Sequence, residues 1–552
     1  MADEVGYLSN AAFIAGHASH GGSSYYAGYS LAIAPLFLLF SDPGKVWTGV
    51  LALNALMWMS ALFLVSGLLE RFHAGTPLWK RVLVLVVMAL YPAYIAMSGY
   101  AFSQSMVALL FATAIATLTW LRVQQASSVL PHAVTVGYLC SVHPVGFAVA
   151  AASLLVMAAL AWRTRRWATL TVALVIIGGS AGVYHLLIHP WLVVQMTPTG
   201  APAALHYPSL SSMLRLEQLR QQALILLGMS LGQLCYIVLA TFGFVGLGLV
   251  YALQNGWSAL GRVKQDAHAV PAAAVLLVAA LTLFGIIAES ALASALATGP
   301  DRVDQWIYGR YLEPVVMLLL GLGLLSPARK GWVLSWALLT VLVGVLLVHV
   351  VKMDGDLYVM NVPALWPRYT NWATEPMGWF LLGAGGIVFA ALINRMLAML
   401  LMMGIYVSCL PSQHEWHSRI LSLNSNPSDL TEFIATNYSP GQCVGFDVTS
   451  SAALPVNRQE RANLYSFYLF DSPLLRLTPA QWLAQCEGPL LTFDSTLKLP
   501  GTQYVGREKA SKLYVLVKKR SGQLIFPNSE PAEQEWLDAA SDERCMLAGC
   551  FQ

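Results

Sequence analysis

About twelve stretches of this chain are apolar and long enough, or nearly long enough, to cross a bilayer core as helices, and that pattern leaves few folds open. They lie near 46–68, 82–97, 104–121, 130–143, 146–162, 168–188, 223–253, 270–289, 313–325, 331–351, 378–393 and 396–410. Backbone polar groups must be satisfied internally in hydrocarbon, so runs of this kind fold as helices packed on one another. The last two count separately if Asn394-Arg395 makes a tight turn at the surface. With 57% hydrophobic and 11% charged residues over 552 positions, an ordinary cytosolic enzyme is excluded.

The charges are unevenly spread. Of the 31 basic and 28 acidic residues, 27 fall in 411–552 and 32 in the much longer stretch 1–410. The expected fold is therefore an α-helical polytopic membrane protein, residues 1–410 with about 12 spans, followed by a small C-terminal α/β soluble domain over 411–552. A net charge of +3 says little in such a chain, because the sidedness of the bases matters more than their sum. Nothing in the pattern supports nucleic acid as a partner.

Sidedness is legible. One set of loops holds twelve bases, from Arg71, Lys80 and Arg81 through Arg163, Arg165 and Arg166 to Arg395, against only Glu70 and Asp266. By the positive-inside rule that face is cytoplasmic. The opposite set carries Asp3, Glu4, Asp42, Glu289, Asp301, Asp304, Glu313 and further acids, and includes long loops at 1–45, 189–222, 290–312 and 352–377. Loops of that length are expected to build structure on the outer, periplasmic surface. An even number of crossings leaves the N-terminus outside, so one leading transmembrane helix is expected to precede it, giving 13 in the full chain. Residues 28–40 are apolar but short and contain Pro35, which suits an interfacial or re-entrant helix.

In the tail, Asp429 with Glu432, and Thr478-Pro479-Ala480-Gln481, read as helix starts. Strands are expected at 442–447 and 489–494, and a hairpin over 502–519. Cys443, Cys486, Cys545 and Cys550 all fall here, an even number where oxidising conditions allow two disulfides. Spacing does not fix the pairing; Cys443–Cys486 with Cys545–Cys550 is the arrangement expected, against four buried free thiols in a cytosolic tail.

Three constellations on the outer side could carry chemistry. Asp3-Glu4-x-x-Tyr7 sets two adjacent carboxylates beside the membrane; they are either solvated loop charges or a partly desolvated general base for an attacking hydroxyl. In Gly309-Arg310-Tyr311-Leu312-Glu313-Pro314, a guanidinium beside an aromatic ring offers a planar fork of donors to phosphate oxygens. The plainer reading makes Arg310 an interfacial anchor, or a partner of Glu313 or Asp304. Ser98-Gly99-Tyr100-Ala101-Phe102-Ser103-Gln104 is uncharged, and Ser103 and Gln104 either bind a sugar hydroxyl or, more plainly, cap a helix. His185 and His189 stand at i, i+4 but lack the Glu of the H-E-x-x-H zinc motif, so no metal site is expected.

Taken in order, these features resemble the GT-C superfamily of integral-membrane glycosyltransferases, which use polyprenyl-phosphate sugars as donors. The matching parts are Asp3-Glu4-x-x-Tyr7, Tyr25-Tyr26-Ala27-Gly28-Tyr29, Ala34-Pro35-Leu36, Tyr91-Pro92 with Ser103-Gln104, Gly137-Tyr138 leading into His143-Pro144, and 309–314. The resemblance implies an acidic catalytic residue in the first outer loop, here Asp3 with Glu4 as its neighbour. It implies a donor phosphate at Arg310 and Tyr311, and substrate contacts from Tyr7, Tyr25, Tyr26, Gln104, His143 and Glu313. Gln104 stands where many members carry Glu, which argues against a metal or acid role at that position. The implied reaction is sugar transfer, inverting if the displacement is single, to a glycan, lipid or protein acceptor at the periplasmic face of a bacterial inner membrane. It requires no nucleotide, and it is compatible with a divalent cation. Two rival readings are a transporter or flippase of a lipid-linked glycan, against which no internal repeat is seen, and a polyprenyl-pyrophosphate-dependent O-antigen polymerase or ligase.

Overall fold

The structure is a computed structural model of the chain, and it describes residues 2–17, 25–196, 223–297, 303–326, 363–364, 387, 391, 394–425, 429–439, 441–449, 465–508, 513–518 and 535–536. By internal contact the chain divides into two compact units, one of residues 1–52, 186–206 and 418–552, the other of 53–185 and 207–417. The tail thus shares a unit with the N-terminal residues, and the boundary read between 410 and 411 falls seven residues earlier than the one between His417 and Ser418.

The first unit opens with α1 (Ala2–Ile14), a helix where the sequence suggested irregular loop, and α2 (Ala27–Leu39), where a short helix was expected over 28–40. At 1.5 Å per residue each is about 20 Å long, short of a bilayer core of about 30 Å. They are tied side by side, with the Ser30 hydroxyl donating to the Tyr7 carbonyl at 2.8 Å and the Asn10 amide donating to the Tyr25 carbonyl at 3.1 Å. The long helix α3 (Pro43–Phe72) follows, and the boundary between the units falls within it, after Ala52.

In the second unit come α4 (Leu78–Ala89), α5 (Pro92–Ser98), α6 (Gln104–Thr117), α7 (Leu130–Val142), α8 (Val145–Thr164) and α9 (Ala168–Val183). A single π turn, Tyr184–Ile188, leads into α10 (His189–Met196), which belongs to the first unit. The second unit continues with α11 (Ala223–Ala240), α12 (Phe244–Arg262), α13 (Ala269–Ala297), α14 (Val303–Trp306), α15 (Glu313–Leu325) and α16 (Arg395–Val407), and the boundary at Ser418 falls within α17 (Leu410–Ser425). The run at 223–253 is therefore two helices, not one span. Phe242 (φ 50°) and Gly243 (φ 80°) both take the left-handed conformation and turn the chain with no charged residue to announce it. The Asn394 side chain accepts from the Met396 N–H and so caps α16.

Among the described residues, six helices are long and apolar enough to cross a membrane, or seven if α4 and α5, bent by 53°, form one broken span. Four shorter apolar helices accompany them. The runs at 331–351 and 378–393 lie outside the described residues except for 387 and 391, so about twelve crossings stays an expectation. Without a hydrophobic drive between helices in lipid, close packing needs small residues. Gly248 of α12 takes the Leu319 carbonyl of α15 where a side chain would stand, and Gly323 of α15 takes the Phe244 carbonyl of α12 in return. These reciprocal contacts make a seam of backbone against backbone.

The C-terminal part of the first unit is α/β: α18 (Asp429–Asn437), β1 (Val444–Asp447), β2 (Leu474–Leu477), α19 (Pro479–Gln485), β3 (Leu490–Thr492), β4 (Thr502–Glu508), β5 (Tyr514–Lys518) and the two-residue β6 (Glu535–Trp536). The strand order is β2-β1-β3-β5-β4-β6, with β2, β1 and β3 parallel and β4 and β5 an antiparallel hairpin. The period-2 alternation of strands sends neighbouring residues to opposite faces. Leu491, Val515 and Val517 pack with Leu430, Ile434 and Phe446, while Leu490 and Leu516 pack with Trp482 and Cys486. Thr478 and Gln481 form the capping box read from their spacing. β2 was not anticipated. Cys443 and Cys486 form a disulfide with Cα atoms 5.6 Å apart, while Cys545 and Cys550 lie outside the described residues.

Candidate active site

Segment 309–314 sits at the centre of a polar nest in an otherwise apolar unit, and one face of α11 holds the chain leading into it. Trp306 lies over Gly228, where a Cβ would come within 2.6 Å of the indole, and its carbonyl fills the space a Cβ at Gly232 would need. One turn further along, the Tyr236 ring packs directly on Gly309. Positions 228, 232 and 236 follow i, i+4, i+8 spacing, so they line one face. A hydroxyl, not just a ring, completes this clamp. The Tyr236 hydroxyl donates to Glu313 Oε1 and accepts from the Ala364 N–H at 3.0 Å.

Glu313 is fully buried and opens α15, where a carboxylate meets the positive end of the helix dipole. Besides Tyr236, the Tyr91 hydroxyl donates to Oε1 at 3.4 Å, and the Tyr94 hydroxyl donates to the Glu313 carbonyl at 3.3 Å. Sequence reasoning proposed Glu313 but missed Tyr236 and Tyr94. The partners lie 77 and 219 residues from it, and a tyrosine in an apolar run is otherwise an ordinary packing residue.

Arg310 is only 6% exposed, and its guanidinium carbon stands 4.0 Å from the centroid of the Phe102 ring. An interfacial anchor would keep its charged head in water or among headgroups, so this placement disfavours the plainer reading. Tyr311 packs edge-on against His143 at 4.6 Å and Tyr308 at 4.7 Å. His143 is buried, and its Nδ1 accepts from the Val145 N–H at 3.2 Å, closing the turn between α7 and α8.

The uncharged segment before α6 is buried rather than exposed. The Asn54 amide donates to the Tyr100 carbonyl at 2.6 Å, and the Ser105 hydroxyl donates to Asn54 Oδ1 at 2.7 Å. Tyr100 stacks on Phe102 at 5.2 Å. Ser103 has helical torsions and makes no capping hydrogen bond, so the capping reading is corrected: the chain is already helical at 103 and its side chain does not reach back to the first amides.

The N-terminal candidates lie in the first unit. Asp3 stands in the first turn of α1. Glu4 is fully buried, which corrects the reading of solvated loop charges: the segment is a packed helix. Tyr7 is buried with its ring 5.0 Å from Tyr25 and edge-on to Tyr29 at 5.3 Å, and Tyr26 meets His189 edge-on at 5.3 Å. Among the described residues no three His, Cys, Asp or Glu side chains are grouped to hold a metal ion.

No protein-family model and no curated protein sequence matches the chain. Among solved structures, ArnT from Cupriavidus metallidurans bound to undecaprenyl phosphate aligns over 96% of this chain and 95% of its own, with a TM-score of 0.50 at 12% identity. The chain shares its fold with ArnT. The apo state of ArnT aligns over 93% of both chains, with a TM-score of 0.49 at 13% identity. At 12% identity the likeness is one of fold, and it is to a protein whose structure holds undecaprenyl phosphate.

Proposed function

We propose that this protein transfers a sugar from a polyprenyl-phosphate donor to an acceptor hydroxyl on the periplasmic face of a bacterial inner membrane. The observation that carries the reading is Arg310: a buried guanidinium on an aromatic bed at the mouth of an apolar helix, in a fold shared with a protein that binds undecaprenyl phosphate. In this reading the isoprenoid chain lies among the spans and the phosphate meets the Arg310 fork, with Tyr311 beside it.

The glycosidic C–O bond to phosphate breaks as the acceptor oxygen bonds to the anomeric carbon, and a single displacement inverts that centre. Negative charge grows on the departing phosphate. Arg310 stabilises it most where water is excluded, because a preorganised cation in a low dielectric acts more strongly on developing charge. The acceptor hydroxyl loses its proton to a carboxylate, the role we assign to Asp3, with Glu4 as its buried neighbour. The acceptor is a glycan, a lipid or a protein.

The test is turnover with purified protein and synthetic polyprenyl-phosphate sugars. Asp3→Asn is expected to abolish transfer with the fold intact, since removing a general base costs roughly 10²–10⁴-fold. Arg310→Ala is expected to raise the donor concentration needed for half-maximal rate. Retained turnover in the first variant removes Asp3 from the chemistry, and an unchanged donor response in the second sends the phosphate elsewhere. Transfer from pyrophosphate-linked but not monophosphate-linked donors, or lipid movement in proteoliposomes with no glycosyl product, overturns the reading itself.

A further inference from the structure

Gln104 is 1% exposed, opens the 14-residue helix α6, and among the described residues neither its amide nitrogen nor its amide oxygen has a hydrogen-bond partner. Leaving both ends of an amide unpaired in a buried site costs free energy that folding alone does not return. The segment that carries it is held by specific contacts. Asn54 holds Tyr100 and Ser105, Tyr100 lies on Phe102, and Phe102 carries Arg310. The side chain is thus a donor and an acceptor held ready on a fixed scaffold, two residues from the ring under the guanidinium.

We infer that Gln104 binds a hydroxyl of the sugar carried by the lipid donor, and so separates a glycosylated polyprenyl phosphate from the bare lipid. A hydroxyl is the group that suits it, because it both gives and takes a hydrogen bond, as the amide does. The amide is neutral, so it adds nothing to the attraction for phosphate already supplied by Arg310. The inference rests on the donor reading above: the sugar is bonded to the phosphate, and the phosphate is placed at Arg310.

The experiment uses native mass spectrometry on the full-length protein in detergent. Its probes are undecaprenyl phosphate and a panel of undecaprenyl-phosphate glycosides bearing glucose, galactose, mannose or arabinose. The wild-type protein is expected to prefer at least one glycoside over the bare lipid. Gln104→Met, close in volume but without the amide, is expected to weaken that glycoside roughly tenfold and to leave undecaprenyl phosphate unchanged. The same variant without ligand is expected to unfold at the same temperature as wild type or higher, since an unpaired buried amide has been removed. Equal weakening of both lipids, unchanged affinity for both, or a lower unfolding temperature overturns the inference while the donor reading stands. Should wild type bind none of the lipids, or Arg310→Ala bind undecaprenyl phosphate as wild type does, the donor reading fails instead and takes the inference with it.

Discussion

At the scale of single residues, the candidate site depends on what is missing from a side chain as much as on what is present. Gly309 has Tyr236 pressed against its α-carbon, and the same tyrosine reaches Glu313 with its hydroxyl, so ring and hydroxyl fix both sides of Arg310. Adding one methyl at 309 forces the ring away and loosens the hydroxyl contact with it. Gly309→Ala is expected to cost about 1–3 kcal/mol of stability by overpacking. It is also expected to lower sugar-transfer turnover more than tenfold, because a displacement of about 1 Å at a reacting group costs on the order of a hundredfold. Thermal unfolding and turnover on the same preparation check this; a variant equal to wild type in both would mean that Tyr236 does not hold the segment.

At the scale of elements, the tail offers the clearest test. The Cys443–Cys486 bond closes a span of 43 residues that contains β1, β2 and α19. Chain entropy puts the stabilisation at about 4 kcal/mol for a loop of that length. Reduction, or Cys443→Ser with Cys486→Ser, is expected to speed hydrogen exchange of the β1 and β3 amides by roughly a thousandfold. Exchange rates that do not move would place the stability of this sheet in its two apolar faces alone. The elements also show what a linear reading can reach. Runs at 130–143 and 313–325 became α7 and α15 because continuous apolar length forces a helix in lipid, and Thr478-Pro479 marked α19 because capping chemistry is local. The break at Phe242-Gly243 was hidden, since it consists of backbone torsions inside an apolar run. β2 was hidden too: Leu474, Leu475, Arg476 and Leu477 have no alternation, and what makes them a strand is their long-range parallel pairing with β1. In the site, Arg310 and Glu313 were legible as charges at the edge of a span, whereas the Tyr236 and Tyr94 hydroxyls were not, because their pairing with Glu313 is long-range.

At the scale of the whole molecule, packing in the second unit rests on the reciprocal contacts of Gly248 and Gly323. A side chain at either place meets a backbone carbonyl, which cannot swing aside as a flexible side chain could. Gly323→Val is expected to cost more than the about 1–3 kcal/mol typical of overpacked cores. The measure is the yield of monodisperse protein on size exclusion; full recovery would show that α12 and α15 can separate without loss of the fold. The seam also acts on the site from a distance. Gly323 lies ten residues along α15 from Glu313, so it works as an index mark for the whole rod. If α15 slipped by one helical turn against α12, Arg310 would be carried about 5.4 Å along the axis. The elevation of the Arg310 guanidinium is thus calibrated by two hydrogen atoms three turns away.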